Sequence, residues 1–335
     1  MSWKGFVRSV NASANKARRE SERKARVRQR ELEKAERLAE YEEAGTAVEI
    51  YENYIERLVS VHKDCSEQIS WHDIKSTPPP VEPQKQSTNR ENAKRKLDTF
   101  KPGIFDKLLK QTEKKLKSLQ DDIHKADALD EQEYKDKLAK YKDEYKDWED
   151  SKNLAEKLFA NDKNACLEVI DEMNSFSEIA ELGSSLYFRI GETGIIEASI
   201  QIHGKEIIPT ESKSLLKSGK LSVKKIPVGT YNELHQDYVC SCVLRVANEL
   251  YAILPIDMVI VTAVDNILNT ATGHIEEKPI VSAAIPRETL QKLNLEQIDP
   301  SDSLNNFVHK MNFKKTSGFS AVESINPEDL IQKDK

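Results

Sequence analysis

The chain has 335 residues, of which 38% are apolar and 32% charged, against about 45–50% and about 25% in a typical globular protein. Its four cysteines, its mean hydropathy of −0.64 and its net charge of −6 exclude a disulfide scaffold, an integral membrane protein built on apolar helices, and an overall polycation. Met1-Ser-Trp-Lys-Gly-Phe lacks the apolar stretch of a secretory signal, so the expected compartment is the cytoplasm, with Cys65, Cys166, Cys240 and Cys242 reduced.

Residues 1–75 read as a long charged helix. Between Phe6 and Thr77 there is no proline, and Gly45 is the only glycine. Residues 1–40 carry 12 Lys and Arg against 6 Asp and Glu, so the rest of the chain sums to −12. A helix polar on every side is a solvated arm or one that orders on a partner. Arg18, Arg19, Arg23, Lys24, Arg26 and Arg28 are candidate contacts for nucleic-acid phosphates or an acidic partner. Trp3, Phe6, Val7 and Val10, with Lys4 and Arg8, also form a short face of the kind that lies on a membrane surface. From Tyr41 a heptad seam follows, through Ala44, Val48, Tyr51, Ile55, Leu58, His62 and Cys65.

Residues 76–90, with Pro78, Pro79, Pro80 and Pro83, read as a polyproline linker, a stiff spacer with a PxxP motif as a secondary reading. Residues 91–182 carry two more seams. One holds Phe105, Leu109, Thr112, Leu116, Leu119 and Ile123; the other runs Tyr134, Leu138, Tyr141, Tyr145, Trp148, Lys152, Ala155 and Phe159. Asp130 and Glu133 resemble a capping box, which predicts a turn near 125–130 and an antiparallel helical hairpin. The first helix's seam is expected to pack on that hairpin.

Composition changes at Gly183, and residues 183–323 read as a β-β-α-β-β layer domain. Leu186–Ile190 is a short strand. Ile196, Ala198, Ile200 and Ile202 alternate with polar residues, the period of a second strand, which Glu206-Ile-Ile extends until Pro209. Residues 211–226 read as an exposed basic loop. A helix is predicted over 230–254, apolar around most of its girth, followed by a hairpin of strands at 258–264 and 279–285. Short helices are expected near Arg287–Leu293 and Asp302–His309, and residues 324–335 form a polar tail. The fold class is therefore α+β, a coiled-coil or helical-hairpin half followed by a compact layer domain.

Chemistry-bearing motifs are sparse. Glu211-Ser-Lys213 is an E-x-K triplet of the kind magnesium nucleases place on a core strand, where the carboxylate binds metal and the lysine stabilises the attacking water or phosphate. Glu197 is the nearby candidate for a second ligand; a charged loop is the plainer reading. Lys213, Lys220, Lys224 and Lys225 are candidate phosphate contacts. Cys240-x-Cys242 has the wrong spacing for a zinc knuckle and reads as core, and His62-x-x-Cys65 has no second ligand pair. No cofactor is expected, magnesium belonging only to the nuclease alternative, and no small-molecule substrate is evident.

Lys224-Lys-Ile-Pro, Tyr231 through Tyr238-Val-Cys, Leu244-Arg-Val-Ala-Asn-Glu-Leu, Thr272-Gly with Pro279-Ile-Val-Ser, and Leu293-Asn-Leu-Glu-Gln-Ile-Asp-Pro resemble a region of bacterial restriction-system proteins. In those proteins it lies beside an Mrr-like nuclease domain, behind a charged helical N-terminus. The resemblance implies an association with defence against foreign DNA and carries over no catalytic residue. The combined expectation is a non-catalytic binding or scaffold protein of a bacterial cytoplasmic system. It would associate through its seams with its own copies or a partner protein and touch DNA or RNA weakly through the basic arm. The alternatives are the nuclease and a structural homo-oligomer without nucleic acid.

Overall fold

The computed structural model describes residues 44–102, 112–173, 185–202, 207–217, 220–268 and 271–331. The chain is a mixed α+β structure with a 48-residue helix and a mixed six-stranded sheet. Its contacts divide it into an α+β unit, described over 44–71 and 155–331, and a helical unit, described within 72–154.

In the α+β unit, α1 (Ala44–Val59) buries Ala47, Val48 and Leu58. Within the described residues of its own unit it packs on the central helix and on a β-ribbon. The predicted seam ran on to Cys65, but the helix stops at Val59; a 3₁₀ turn (Val61–Lys63) and extended chain follow, and α2 (Trp71–Ser76) begins beyond the extended stretch.

The six strands of the sheet, β1 (Leu186–Ile190), β2 (Ile196–Gln201), β5 (Met258–Leu268), β6 (Ile275–Pro286), β7 (Val308–Lys314) and β8 (Gly318–Ser320), lie in the order β1-β2-β5-β6-β7-β8. β1 (Leu186–Ile190) runs antiparallel to β2 (Ile196–Gln201), whose Ile196, Ala198 and Ile200 are at most 1% exposed while the alternate residues stay half-buried. Residues 203–206 lie outside the described residues, and Ile207 is not in a strand. The stretch expected to be a loop is a separate antiparallel ribbon of β3 (Glu211–Leu215) and β4 (Leu221–Lys225). Lys213 pairs across from Val223 and Leu215 from Leu221, a ladder that satisfies backbone groups a loop would leave to water.

The central helix was placed correctly by its apolar girth. Here it is α6 (Val228–Ile253), the described helices between α2 and it being α3 (Thr88–Asp98), α4 (Thr112–Phe159) and α5 (Lys163–Met173). It starts after Pro227 and stops before Pro255, both compatible with helix ends. Because β5 (Met258–Leu268) lies parallel to β2, the ribbon and α6 together form the crossover such a pairing needs.

β5 pairs with β6 (Ile275–Pro286) as the predicted hairpin, longer than expected at its turn end, where Asp265–Leu268 pair with Ile275–Lys278. Both strands are covered on both faces. Ile260 and Ala284 pack against Ile325, with Leu330 beside them. Alternation turns Val259, Val261 and Val281 to the other face, where α6 lies: Cys240 on α6 sits 4.0 Å from Met311, which pairs across from Val281. After α7 (Arg287–Gln291) and α8 (Pro300–Ser303), the predicted helix over Asp302–His309 is cut short. A 3₁₀ turn ends at Asn306, and the chain enters β7 (Val308–Lys314) and β8 (Gly318–Ser320). These strands were missed because their exposed face is polar. The expected polar tail is also partly buried: Ile325 is 5% exposed and its N–H donates to Ser282 Oγ at 3.0 Å, with α9 (Pro327–Ile331) following.

In the helical unit, no turn interrupts α4 at 125–130. Asp130 is capped into service elsewhere: its Oδ1 and Oδ2 accept the N–H groups of Asn89 (3.0 Å) and Arg90 (2.8 Å) in the first turn of α3. Those are the donors an N-cap side chain normally satisfies, and Ser87, the residue in the cap position, makes no such bond. The residue types were read correctly as a cap, but the helix they cap is a different one.

The proline segment is stiff yet not a free spacer, because it lies along α4. Trp148 Nε1 donates to Thr77 O at 2.7 Å, and Lys85 pairs with Glu131. Eight polyproline steps from Thr77 to Lys85 span about 25 Å, and seventeen helical steps from Glu131 to Trp148 about 26 Å. The two lengths match, so the strap can run antiparallel along the helix without slack. Pro80 and Pro83, one three-residue turn apart, are half-buried while Val81 between them is 90% exposed.

Candidate functional site

The two carboxylates of the nuclease alternative are not brought into one sheet. Glu197 lies on β2 in the six-stranded sheet, its Oε2 bonded to Arg189 at 2.7 Å. Glu211 and Lys213 lie on the separate ribbon, where Glu211 pairs across from Lys225. Among the described residues no group of three or more His, Cys, Asp or Glu is placed to hold a metal ion. Cys240 and Cys242 are both fully buried in α6, and burial pushes the Cys242 thiol up to about 12. Arg18, Arg19, Arg23, Lys24, Arg26 and Arg28 lie outside the described residues.

The densest set of chemistry-bearing side chains is one that sequence spacing did not join. α6 carries Ser241, Arg245, Asn248 and Glu249, a stripe at steps of three and four along one helix face. Chain segment 62–71 runs alongside this stripe. Ser241 Oγ lies 2.8 Å from His62 Nδ1 and accepts the His62 N–H at 3.0 Å, while His62 Nε2 lies 3.0 Å from Leu295 O. This arrangement is self-consistent when His62 is neutral, with its proton on Nε2 and Ser241 donating to Nδ1. Asn248 donates to Cys65 Sγ, and Ser66 N–H donates to Glu249 Oε1 at 3.1 Å. Beyond the stripe, Ile69 N–H reaches Ala252 O at 2.8 Å and Trp71 Nε1 reaches Ile253 O at 2.7 Å. Arg245 pairs with Glu249 at 2.8 Å, and their side chains are 6% and 0% exposed.

These bonds explain why α1 cannot continue past Val59. The 3₁₀ turn and extended chain that follow are held on α6 by the N–H groups of His62, Ser66 and Ile69. The Ser241–His62 pair looks like a nucleophile and its base, but Ser241 is 0% exposed and the far nitrogen of His62 is taken by a main-chain carbonyl. Burial pushes the Cys65 thiol up to about 11, away from the thiolate a nucleophile needs. The stripe is a polar pin between segment 62–71 and α6. The only signal for it in the sequence is a helix apolar around most of its girth that carries an Arg and a Glu at i, i+4.

A second cluster surrounds Asp237 on α6. Desolvation, with Asp299, Glu233 and Asp302 nearby and a partly opposing bond from Ser301, pushes its carboxyl up to about 6. Asp299 itself caps α8, accepting the N–H groups of Ser301 (2.9 Å) and Asp302 (3.0 Å).

The ribbon brings together the basic residues that sequence reasoning singled out. Lys213, Lys220, Lys224 and Lys225 all lie on or beside β3 and β4, joined by Lys217. Tyr54 on α1 donates to Ile207 O at 2.6 Å, anchoring the chain that leads into β3, and Ile226 N–H to Thr210 O at 2.8 Å closes the ribbon's base. Compared with family models, curated proteins and solved structures, the chain matches none.

Proposed function

We propose that the chain is a non-catalytic binding or scaffold protein of a bacterial cytoplasmic system, joining copies of itself or a partner protein through the apolar seam of α4. One observation carries this reading. Among the described residues of the helical unit, Leu154 is the only apolar side chain that is fully buried; Leu116 and Leu129 remain 38% and 50% exposed, and Leu119 and Ile123 are half-buried. The strap and α3 reach α4 at Trp148, Glu131, Asp130 and Asp127. Among the described residues, the seam toward Leu116 keeps an apolar stripe that another helix would cover. The basic arm would add weak contact to DNA or RNA, in keeping with the resemblance to restriction-system proteins.

Light scattering on the full chain tests this. A mass above one chain that falls to one chain in Leu119→Asp/Ile123→Asp supports it; a monomer at all concentrations, with no partner retained through the seam, sinks it. Deletion of residues 1–40 tests the arm separately: nucleic-acid retention should weaken with the deletion and with salt.

A further inference from the structure

Among the described residues, the ribbon has one face covered by α1 and one face that is largely exposed. Directly opposed residues of an antiparallel pair share a face, so Ser212, Lys224, Ser214 and Ser222 form one side. Ser222 on that side is buried, and α1 packs on both ribbon strands. The other side carries Glu211, Lys225, Lys213, Val223, Leu215 and Leu221. Leu215, Leu216 and Val223 are 50%, 47% and 47% exposed. Residues 211–225 hold five lysines and a single acid, and no arginine, asparagine, glutamine or aromatic residue.

We propose that this face of the ribbon is a docking site for the anionic surface of a lipid bilayer. Aliphatic side chains clustered next to lysines are the chemistry of an interfacial contact. Leu215 and Val223 on this face, with Leu216 just past the end of β3, enter the boundary between headgroups and acyl chains. Lys213 and Lys225 on this face, with Lys217 and Lys220 in the connection between the strands, keep their stems in the same layer and their ammonium groups at phosphates and carboxylates. A nucleic acid fits the lysines but not the rest. Grooves are read by arginine, asparagine and glutamine and unpaired bases stack on aromatic rings, none of which the ribbon offers, and phosphate contact would leave three aliphatic side chains in water. No helix among the described residues is long and apolar enough to cross a membrane, so the contact is one of surface attachment. This assignment stands apart from the α4 seam and from the basic arm, and neither is altered by the variants below.

The test is co-sedimentation of the full chain with vesicles of phosphatidylcholine alone and with about 30% phosphatidylserine. Retention on the phosphatidylserine vesicles, weakened by salt and small on the neutral ones, is the expected result. Leu215→Asp/Leu216→Asp should reduce it at least tenfold, and Lys217→Glu/Lys220→Glu should reduce it and flatten the salt dependence. Leu215→Ser/Leu216→Ser, a milder change, guards against misfolding and should give an intermediate loss with an unchanged thermal transition. The proposal is overturned if the wild-type chain is not retained on the charged vesicles, or if retention survives both double variants. It is equally overturned if duplex DNA is bound through the ribbon lysines with no effect of the leucine changes.

Discussion

The helical unit and the α+β unit use the same polar and apolar inventory in opposite ways. The α+β unit places Tyr238, Leu244, Leu250, Ile253 and Ile260 at no more than 1% exposure and then spends polar groups inside that core, the Arg245–Glu249 pair above all. Among its described residues the helical unit has almost no buried apolar side chain, yet it buries a carboxylate, Asp130, at 3% exposure as the cap of a neighbouring helix. One unit is held by area removed from water, at about 1.5–3 kcal/mol for each large side chain. The other is held by register: a measured strap, a cap delivered from outside, and surface pairs such as Glu131–Lys135 and Lys140–Glu144 worth a few tenths of a kcal/mol each. Such a helix depends on what packs against it.

The sharpest way to break the comparison is inside the core. Glu249→Ala leaves the Arg245 guanidinium in a dry site without its carboxylate and should cost about 3–5 kcal/mol, read as a lower urea midpoint. Leu250→Ala should cost about 2–5 kcal/mol by the cavity it leaves, whereas Leu116→Ala in the helical unit should stay within about 0.5 kcal/mol in the isolated chain. Equal costs at these two leucines would erase the distinction between the units.

Two groups in the α+β unit give opposite pH dependences. Burial lowers the His62 pKa below its usual 6.5, so its contribution is complete above that value and is lost as pH falls toward the folded pKa, when Nδ1 must protonate and repel the Ser241 hydroxyl proton. The Asp237 carboxyl is raised from 3.8 to about 6, so its contribution is complete below 3.8 and lost as pH rises through about 6. Asp237→Asn should therefore stabilise the chain at pH 7, by about 1 kcal/mol once solvent screening of this half-exposed group is allowed for, and should make little difference at pH 4. Thermal melts at the two pH values decide it.

The smallest effect is local. Hydrogen bonds from Asn89 and Arg90 outweigh desolvation and hold the Asp130 carboxyl below its usual value. Asp130→Ala should remove hydrogen-exchange protection from the Asn89 and Arg90 amides and fray α3 while leaving the global transition in place. Acid should mimic the variant, since a depressed carboxylate stabilises above 3.8 and releases as pH falls through its folded value. Unchanged protection of the two amides would mean that α3 does not depend on α4.

Periodicity was a good guide wherever one residue pattern met one environment. The alternation of Ile196, Ala198 and Ile200 and the apolar girth of 230–254 led directly to β2 and α6, because burial on one or all sides writes itself into spacing. It failed where the cover comes from far along the chain. The heptad through His62 and Cys65 was regular, but backbone contacts to Ser241 and Glu249, about 180 residues away, outcompete the last turn of that helix. Residues 211–226 looked like a loop because a ribbon with only one covered face needs few apolar residues. Of the candidate site, the lysines were legible as a charge run, while the grouping of Lys213 and Lys225 with Leu215 and Val223 on one ribbon face was not.

What the sequence determined by itself is which segments can be helix or strand and which face of each avoids water, since these depend on neighbours within a turn or two. Which surfaces meet was decided only by the fold. Asp130 could cap any helix whose first turn comes within reach, and Ser241 could hold any backbone laid beside it. Hydrogen bonds and packing act over a few ångströms in space, and only the folded chain converts separations of forty to one hundred and eighty residues into such distances.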